Sequence, residues 1–265
     1  MERCRSFGSG PWRRQKLQDD GAAVVLDRVK WIFLWTGLLG FTAEAGELET
    51  QRFDAEVKLR VGDDYLLAFP DDYEADESRK WPLIVFLHGS GERGDDVQKV
   101  KVHGPLKRLE EGQRIDAIIA APQAKPGSIW DPHAVKALTD ELAKTHRVDN
   151  NRIYLTGLSM GGFGTWDTAL EYPETYAAIA PICGGAGVRF IMAERLQSLP
   201  IWIFHGDADT AVPVEHSLKM EKALKKVGNE VKLTIYEGVG HDSWTRTYEN
   251  PAFWEWLFAQ KRGGS

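Results

Sequence analysis

Arg152-Ile153-Tyr154-Leu155-Thr156-Gly157-Leu158-Ser159-Met160-Gly161-Gly162-Phe163-Gly164-Thr165 is the stretch on which the architecture turns. Arg152–Thr156 is a short apolar run of the kind that forms a buried strand. Phe163–Tyr172 is helical in character and is stopped by Pro173. Between them stands Gly157-Leu158-Ser159-Met160-Gly161, a G-x-S-x-G sequence in the strand–turn–helix setting that makes it meaningful. A serine on so sharp a turn projects its Oγ above the strand ends, and flanking glycines leave room for strand and helix to approach closely.

Outward from this turn, apolar runs alternate with helical segments. Pro82–His88 (PLIVFLH) and Asp116–Pro122 (DAIIAAP) are continuous runs suited to strands buried on both faces. Tyr176–Ile182, Pro200–His205 and Val231–Tyr236 add further strands. Ala134–His146, Val214–Val227 and Ala252–Gln260 are the intervening helices. This alternation predicts an α/β fold with a mostly parallel sheet and helices on both faces. Ala55–Arg60 and Tyr65–Pro70, separated by Gly62-Asp63-Asp64, predict an antiparallel N-terminal hairpin. One domain accounts for residues 46–265.

A serine hydroxyl needs a base, and a histidine base needs a carboxylate to orient it. In this kind of sheet the chain order is nucleophile, acid, histidine. His205-Gly206-Asp207-Ala208-Asp209-Thr210-Ala211-Val212-Pro213 and Gly238-Val239-Gly240-His241-Asp242 each follow a strand, where parallel α/β sheets place their sites. Ser159, Asp209 and His241 are therefore the candidate nucleophile, acid and base. Asp209 fits an H-G-x-x-D-x-x-V-P pattern; Asp207 is two residues early and suits a turn, and Asp242 is a third candidate. His88 and His205 each end a strand before a glycine and are expected to be buried imidazoles bonded to loop backbone. An oxyanion needs two preorganised N–H donors. Met160, directly after the serine, is one candidate. Ser90, in the glycine-rich loop His88–Gly94, is the other, unless that loop is only a flexible turn. Trp130 and Trp244 follow a strand and the histidine respectively, so they either line the cleft as substrate-binding residues or simply pack.

The segments FLHGSGERG, YLTGLSMGGFGTWDTALEYPETYAAIAPICGG, FHGDADTAVPVEHS and GVGHDSW resemble the prolyl-oligopeptidase-like single-domain serine esterases. That group includes carboxylesterase/phospholipase-like proteins and feruloyl and acetyl-xylan esterases. The resemblance covers nearly all of residues 55–260. It implies the three-layer α/β-hydrolase fold and cleavage of carboxylic esters through an acyl-serine, with no cofactor and no metal. By position it supports Ser159, Asp209 and His241, with Ser90 and Met160 as oxyanion donors. Small esters, including acetyl or feruloyl esters linked to plant polysaccharides, are the expected substrates. A serine peptidase or lysophospholipase would use the same triad, and a noncatalytic binding protein on this fold is a third class. No propeller or gating domain stands before the hydrolase segment, which favours small esters over peptides.

The 265 residues carry a net charge of −6, with basic residues scattered among acidic ones, so a nucleic-acid partner is not expected. Two cysteines, Cys4 and Cys183, build neither a disulfide framework nor a cysteine metal site. The seven histidines show no metal-ligand spacing. Val29-Lys30, the apolar run Trp31–Phe41 and Ala43-Glu44-Ala45 together have the form of a secretory signal peptide, too short for a stable membrane span. Export to the periplasm or exterior, with cleavage after Ala45, is expected. Residues 1–28 precede that signal, and Val29 matches a GTG start codon, so they are expected to be an upstream extension outside the true reading frame start. Oligomeric state is not legible. Sequencing the N-terminus of the exported protein should find Gly46 first; a mature chain beginning near Met1 would show the export expectation to be wrong.

Overall fold

The structure, a computed structural model, describes residues 50–56 and 58–263. The expected extension and signal peptide, residues 1–28 and 29–45, lie outside the described residues, as does Cys4. The chain falls into two units, Met1–Glu56 and Val57–Ser265. Of the first, residues 50–56 are exposed and without regular structure. Every strand and helix among the described residues belongs to the second.

That unit holds a seven-stranded sheet in the order β1-β3-β2-β4-β5-β6-β7. The strands are β1 (Tyr65–Ala68), β2 (Trp81–Leu87), β3 (Ile118–Pro122), β4 (Val148–Leu158), β5 (Ala178–Ile182), β6 (Trp202–Gly206) and β7 (Lys232–Tyr236). All neighbours are parallel except β1, which runs antiparallel to β3. The expected antiparallel edge is present, but it is not a hairpin. The described residues of 55–60 are exposed and form no strand, and Tyr65 instead faces Pro122 across the sheet. Alternation alone attracted the first arm, and alternation without a surface to bury against does not hold a strand.

Six helices complete the layers: α1 (Gly104–Glu110), α2 (Pro132–Thr145), α3 (Met160–Glu171), α4 (Glu215–Lys226), α5 (Trp244–Glu249) and α6 (Pro251–Ala259). β2 is buried along its whole length, and its side chains alternate between two cores as strand geometry dictates. Leu83, Val85 and Leu87 join Val135 and Leu142 of α2, Trp166 and Leu170 of α3, and Met220 and Leu224 of α4. Ile84 and Phe86 join Leu106 of α1, Tyr248 of α5, and Phe253 and Leu257 of α6. Each such buried side chain contributes about 1.5–3 kcal/mol of hydrophobic free energy. The result is helix, sheet, helix.

The order of strands fixes where a site can form. From β2 the chain moves outward to β3, then returns to lay β4 on the other side of β2, and later strands continue in that direction. The crevice beyond the carboxyl ends of β2 and β4 is therefore the point where the winding reverses, and open α/β sheets bind ligands there. Loop 88–94 follows β2 and Ser159 follows β4, so both open onto this crevice.

The turn after β4 is a place of close backbone approach. A Cβ at Gly161 would collide with the Leu87 carbonyl of β2, and one at Gly162 with the Ile182 carbonyl of β5. Gly62, by contrast, faces open space. Gly161→Ala is expected to cost about 1–3 kcal/mol through overpacking, lowering Tm by several degrees in differential scanning calorimetry. Gly62→Ala should leave Tm nearly unchanged; equal effects of the two would contradict this packing.

Candidate active site

Ser159 sits at φ 52° and ψ −117°, a backbone conformation that costs a non-glycine residue about 1–3 kcal/mol. The surroundings hold it there. Its N–H donates to the Ile182 carbonyl at 3.0 Å and lies 3.3 Å from Cys183 Sγ, and its carbonyl receives the Phe163 N–H at 3.1 Å. The serine turn is thus tied to β5 on one side and to the first turn of α3 on the other.

The three residues expected to act together are brought together. Ser159 Oγ lies 2.8 Å from His241 Nε2, and His241 Nδ1 lies 2.7 Å from Asp209 Oδ2. Asp209 Oδ1 accepts the Ala211 and Val212 N–H groups, each at 2.9 Å. Burial acts to raise the Asp209 pKa. The hydrogen bonds from His241, Val212 and Ala211 outweigh it and hold the carboxyl below the ordinary range. A carboxylate facing Nδ1 assigns the proton there, which leaves the Nε2 lone pair for the serine hydroxyl. Ser159 and His241 are partly exposed, whereas Asp209 is buried.

The competing carboxylates do other work. Asp207 accepts the Gly238 N–H at 2.7 Å, joining the acid loop to the histidine loop. Asp242 accepts from the Thr245 N–H and hydroxyl at the start of α5.

The two candidate oxyanion donors each begin a helical segment. Ser90 opens the 3-10 turn Ser90–Glu92 and Met160 opens α3, so neither N–H has an acceptor within its own helix. The Ser90 amide is also oriented. His88 Nδ1–H donates to the Gly89 carbonyl at 2.6 Å, and His88 Nε2 accepts the Ala124 N–H at 3.0 Å. Because C=O and N–H point opposite ways across a trans peptide, a pinned Gly89 carbonyl sets the direction of the Ser90 N–H. His88 is the backbone-bonded buried imidazole expected of it.

Trp244 lies beside the candidate base, its ring edge-on to His241 with centroids 5.3 Å apart. Trp130 does not. It is 5% exposed, its Nε1–H donates to the His88 carbonyl at 3.1 Å, and its ring presses on Gly164. The cavity it lines, of about 240 Å³, is walled by Val61–Asp63 and α2, with neither Ser159 nor His241 in its walls. Burial and these contacts make Trp130 a packing residue under the loop after β2, and the partner that claims it, Gly164, is distant in sequence.

Two participants were not anticipated as neighbours of the triad. Cys183, at φ 40°, lies under the serine turn, and burial pushes its thiol up to about 12. Its Sγ, an Asp209 oxygen and His241 Nδ1 all fall within 4.8 Å, a cluster of metal-ligating types among the described residues. Each atom already has a partner in the serine–histidine–aspartate arrangement, and a protonated thiol is a poor ligand, so the cluster reads as part of that arrangement. His205 is the second. It contacts backbone as expected, and it also reaches Asp209 Oδ2 at 3.3 Å.

Known proteins resemble this chain in sequence and fold. A family model described as Phospholipase/Carboxylesterase matches residues 131–250. A crystal structure of a thermostable esterase is 38% identical, with a TM-score of 0.66, over 75% of this chain and 59% of that one. The fold is that of the α/β-hydrolases. The resemblance seen in its motifs, to carboxylesterase- and peptidase-like proteins, is borne out. Among curated relatives, the bifunctional acetylxylan esterase/xylanase XynS20E of Neocallimastix patriciarum is 30% identical over 48% of this chain and 19% of that protein. Probable feruloyl esterase C of Aspergillus niger is 28% identical over 47% of each. The chain spans less than half the length of those curated relatives. Among the described residues no helix is long and apolar enough to cross a membrane.

Burial lowers the pKa of both His88 and His205 in the folded chain. The unfolded chain takes up a proton on each near pH 6.5 while the folded chain does not. Their contribution to stability is therefore complete above about pH 6.5 and is lost as pH falls, at most about 1.4 kcal/mol per pH unit for each. Tm should fall by several degrees between pH 7.5 and 5.5 in a buffer-matched thermal melt. A flat or rising Tm over that window would contradict the neutral buried state.

Proposed function

We propose that this α/β-hydrolase is a serine hydrolase that cleaves carboxylic esters through an acyl-enzyme. The observation that carries the reading is the continuous chain from Ser159 Oγ through His241 to Asp209 Oδ2, at 2.8 and 2.7 Å, standing on the turn after β4. His241 takes the Ser159 proton as Oγ attacks the acyl carbon. The Ser90 and Met160 amides receive the oxyanion, an interaction worth about 2.7–4 kcal/mol per donor in such sites. His241 then protonates the departing alcohol, and water repeats the sequence on the acyl-serine.

Acetyl or feruloyl esters of plant polysaccharides are the proposed substrates. Their support is the partly exposed Trp244 beside His241, an aromatic face of the kind that sugars and aromatic acyl groups stack on, together with relatives named for those two substrates. Export is proposed with it, on the strength of the charged, apolar and A-x-A pattern at residues 29–45.

The test is a hydrolysis panel on the purified protein and on Ser159→Ala. It holds p-nitrophenyl acetate and longer acyl esters, methyl ferulate, acetylated xylan and a proline-containing peptide. The parent should cleave acetyl or feruloyl esters, and Ser159→Ala should lose on the order of 10⁴-fold or more in kcat. Cleavage of the peptide alone would overturn the esterase reading. Equal activity of Ser159→Ala would overturn the assignment of the nucleophile.

A further inference from the structure

His205 is next to last in β6, with its side chain fully buried. Its Nε2 hydrogen-bonds the Val212 carbonyl at 2.8 Å and stands 3.3 Å from Asp209 Oδ2, a close contact without hydrogen-bond alignment. A carbonyl facing that nitrogen requires the proton to sit there. Nδ1 then carries the lone pair and accepts from the Ser217 hydroxyl, 2.7 Å away at the start of α4. The tautomer is thus dictated by the neighbours. The acid loop is closed from both sides: Oδ1 of Asp209 takes the Ala211 and Val212 amides, while the same imidazole edge touches the Val212 carbonyl and Oδ2.

From this arrangement we infer that His205 is a positioning residue for the acid of the triad, holding the acid loop through its N–H to the Val212 carbonyl and keeping that N–H beside Asp209 Oδ2, with Ser217 orienting the ring. The inference rests on the serine-hydrolase reading above for its kinetic consequences. A line of polar groups then runs Ser217, His205, Asp209, His241, Ser159, with both imidazoles meeting at Oδ2. Burial keeps His205 neutral, so it contributes a dipole beside the carboxylate and not a competing cation. The other titratable groups near this point are His241 and Asp242 from the loop after β7 and the protonated Cys183 thiol at the end of β5.

Removing the imidazole frees the Val212 carbonyl and withdraws an N–H dipole from beside Oδ2, whose side-chain hydrogen bond is to His241. A carboxylate that loses such a dipole interacts more strongly with its remaining donor. His205→Leu should therefore lower kcat on p-nitrophenyl acetate by about 10- to 100-fold and move the acid limb of kcat/KM upward by roughly half to one pH unit. His205→Gln, which keeps an N–H at about the Nε2 position, should recover most of both. Ser217→Ala, which leaves the imidazole in place, should shift the limb in the same direction by less, and it serves if His205→Leu does not fold. A readout independent of turnover is the downfield proton resonance of the His241–Asp209 hydrogen bond, expected to move in His205→Leu and return in His205→Gln. An unmoved resonance and acid limb, or loss of Tm in both His205 variants without recovery by Gln, would overturn the inference. Absence of ester cleavage by the parent with the resonance still responding would instead count against the esterase reading alone.

Discussion

The packing of α3 against the ends of β2 and β5 is the constraint from which the site follows. The first turn of α3 comes so close to the Leu87 and Ile182 carbonyls that no side chain fits at Gly161 or Gly162. With the helix that near, the chain has no room for a relaxed connection after β4. It turns within one residue, and that residue is Ser159 at positive φ. A strained serine would relax in isolation. Here its N–H is held by the Ile182 carbonyl and its own carbonyl by the first turn of α3, so the strain is retained and the hydroxyl stays raised over the crevice.

The rest of the site is loops made to agree with that one fixed point. Asp209 and His241, the candidate acid and base, sit on separate loops after β6 and β7, and those loops are tied together. The Gly238 N–H reaches Asp207, the Ala208 N–H reaches the Val239 carbonyl, and a Cβ at Gly206 would collide with the Val239 carbonyl. Two loops stitched at three places behave as one rim. The loop after β2 is fixed in a different way, through His88, which is pinned between the Gly89 carbonyl and the Ala124 amide. Each buried imidazole has both ring nitrogens occupied, as burial of a polar group requires.

The parts legible in the sequence are those whose cause is local. A run such as Pro82–His88 is apolar because both faces of its strand are covered, and a G-x-S-x-G between a strand and a helix is marked by its own five residues, although the carbonyl that excludes a side chain at Gly161 comes from β2. The chain order of serine, aspartate and histidine was legible for the same reason, since each follows its own strand. What escaped is long-range or short and polar. Trp130 is committed to Gly164 and His88, 34 and 42 positions away, and nothing near residue 130 announces it. Residues 55–60 alternate well, yet the partner of β1 turned out to be β3. α1 and α5, seven and six residues long, lack the length for a clear period. The link from His205 to Asp209 is four residues in sequence. A tight turn after a strand that carries histidine and aspartate at that spacing was a signal that could have been followed.

Environment, not residue type, decides which side chain is the candidate nucleophile. A cysteine is intrinsically the better nucleophile, and Cys183 lies directly beneath Ser159. Yet its sulfur is fully buried, its thiol is pushed up to about 12, and it lies against the serine's own amide. It is therefore neither ionised nor open to a substrate. Ser159 is the reverse case, a hydroxyl of weak intrinsic reactivity that is partly exposed and set against an imidazole whose tautomer is fixed by a buried carboxylate. The turn lifts one residue and buries the other, and this difference in height is what singles out serine as the candidate nucleophile.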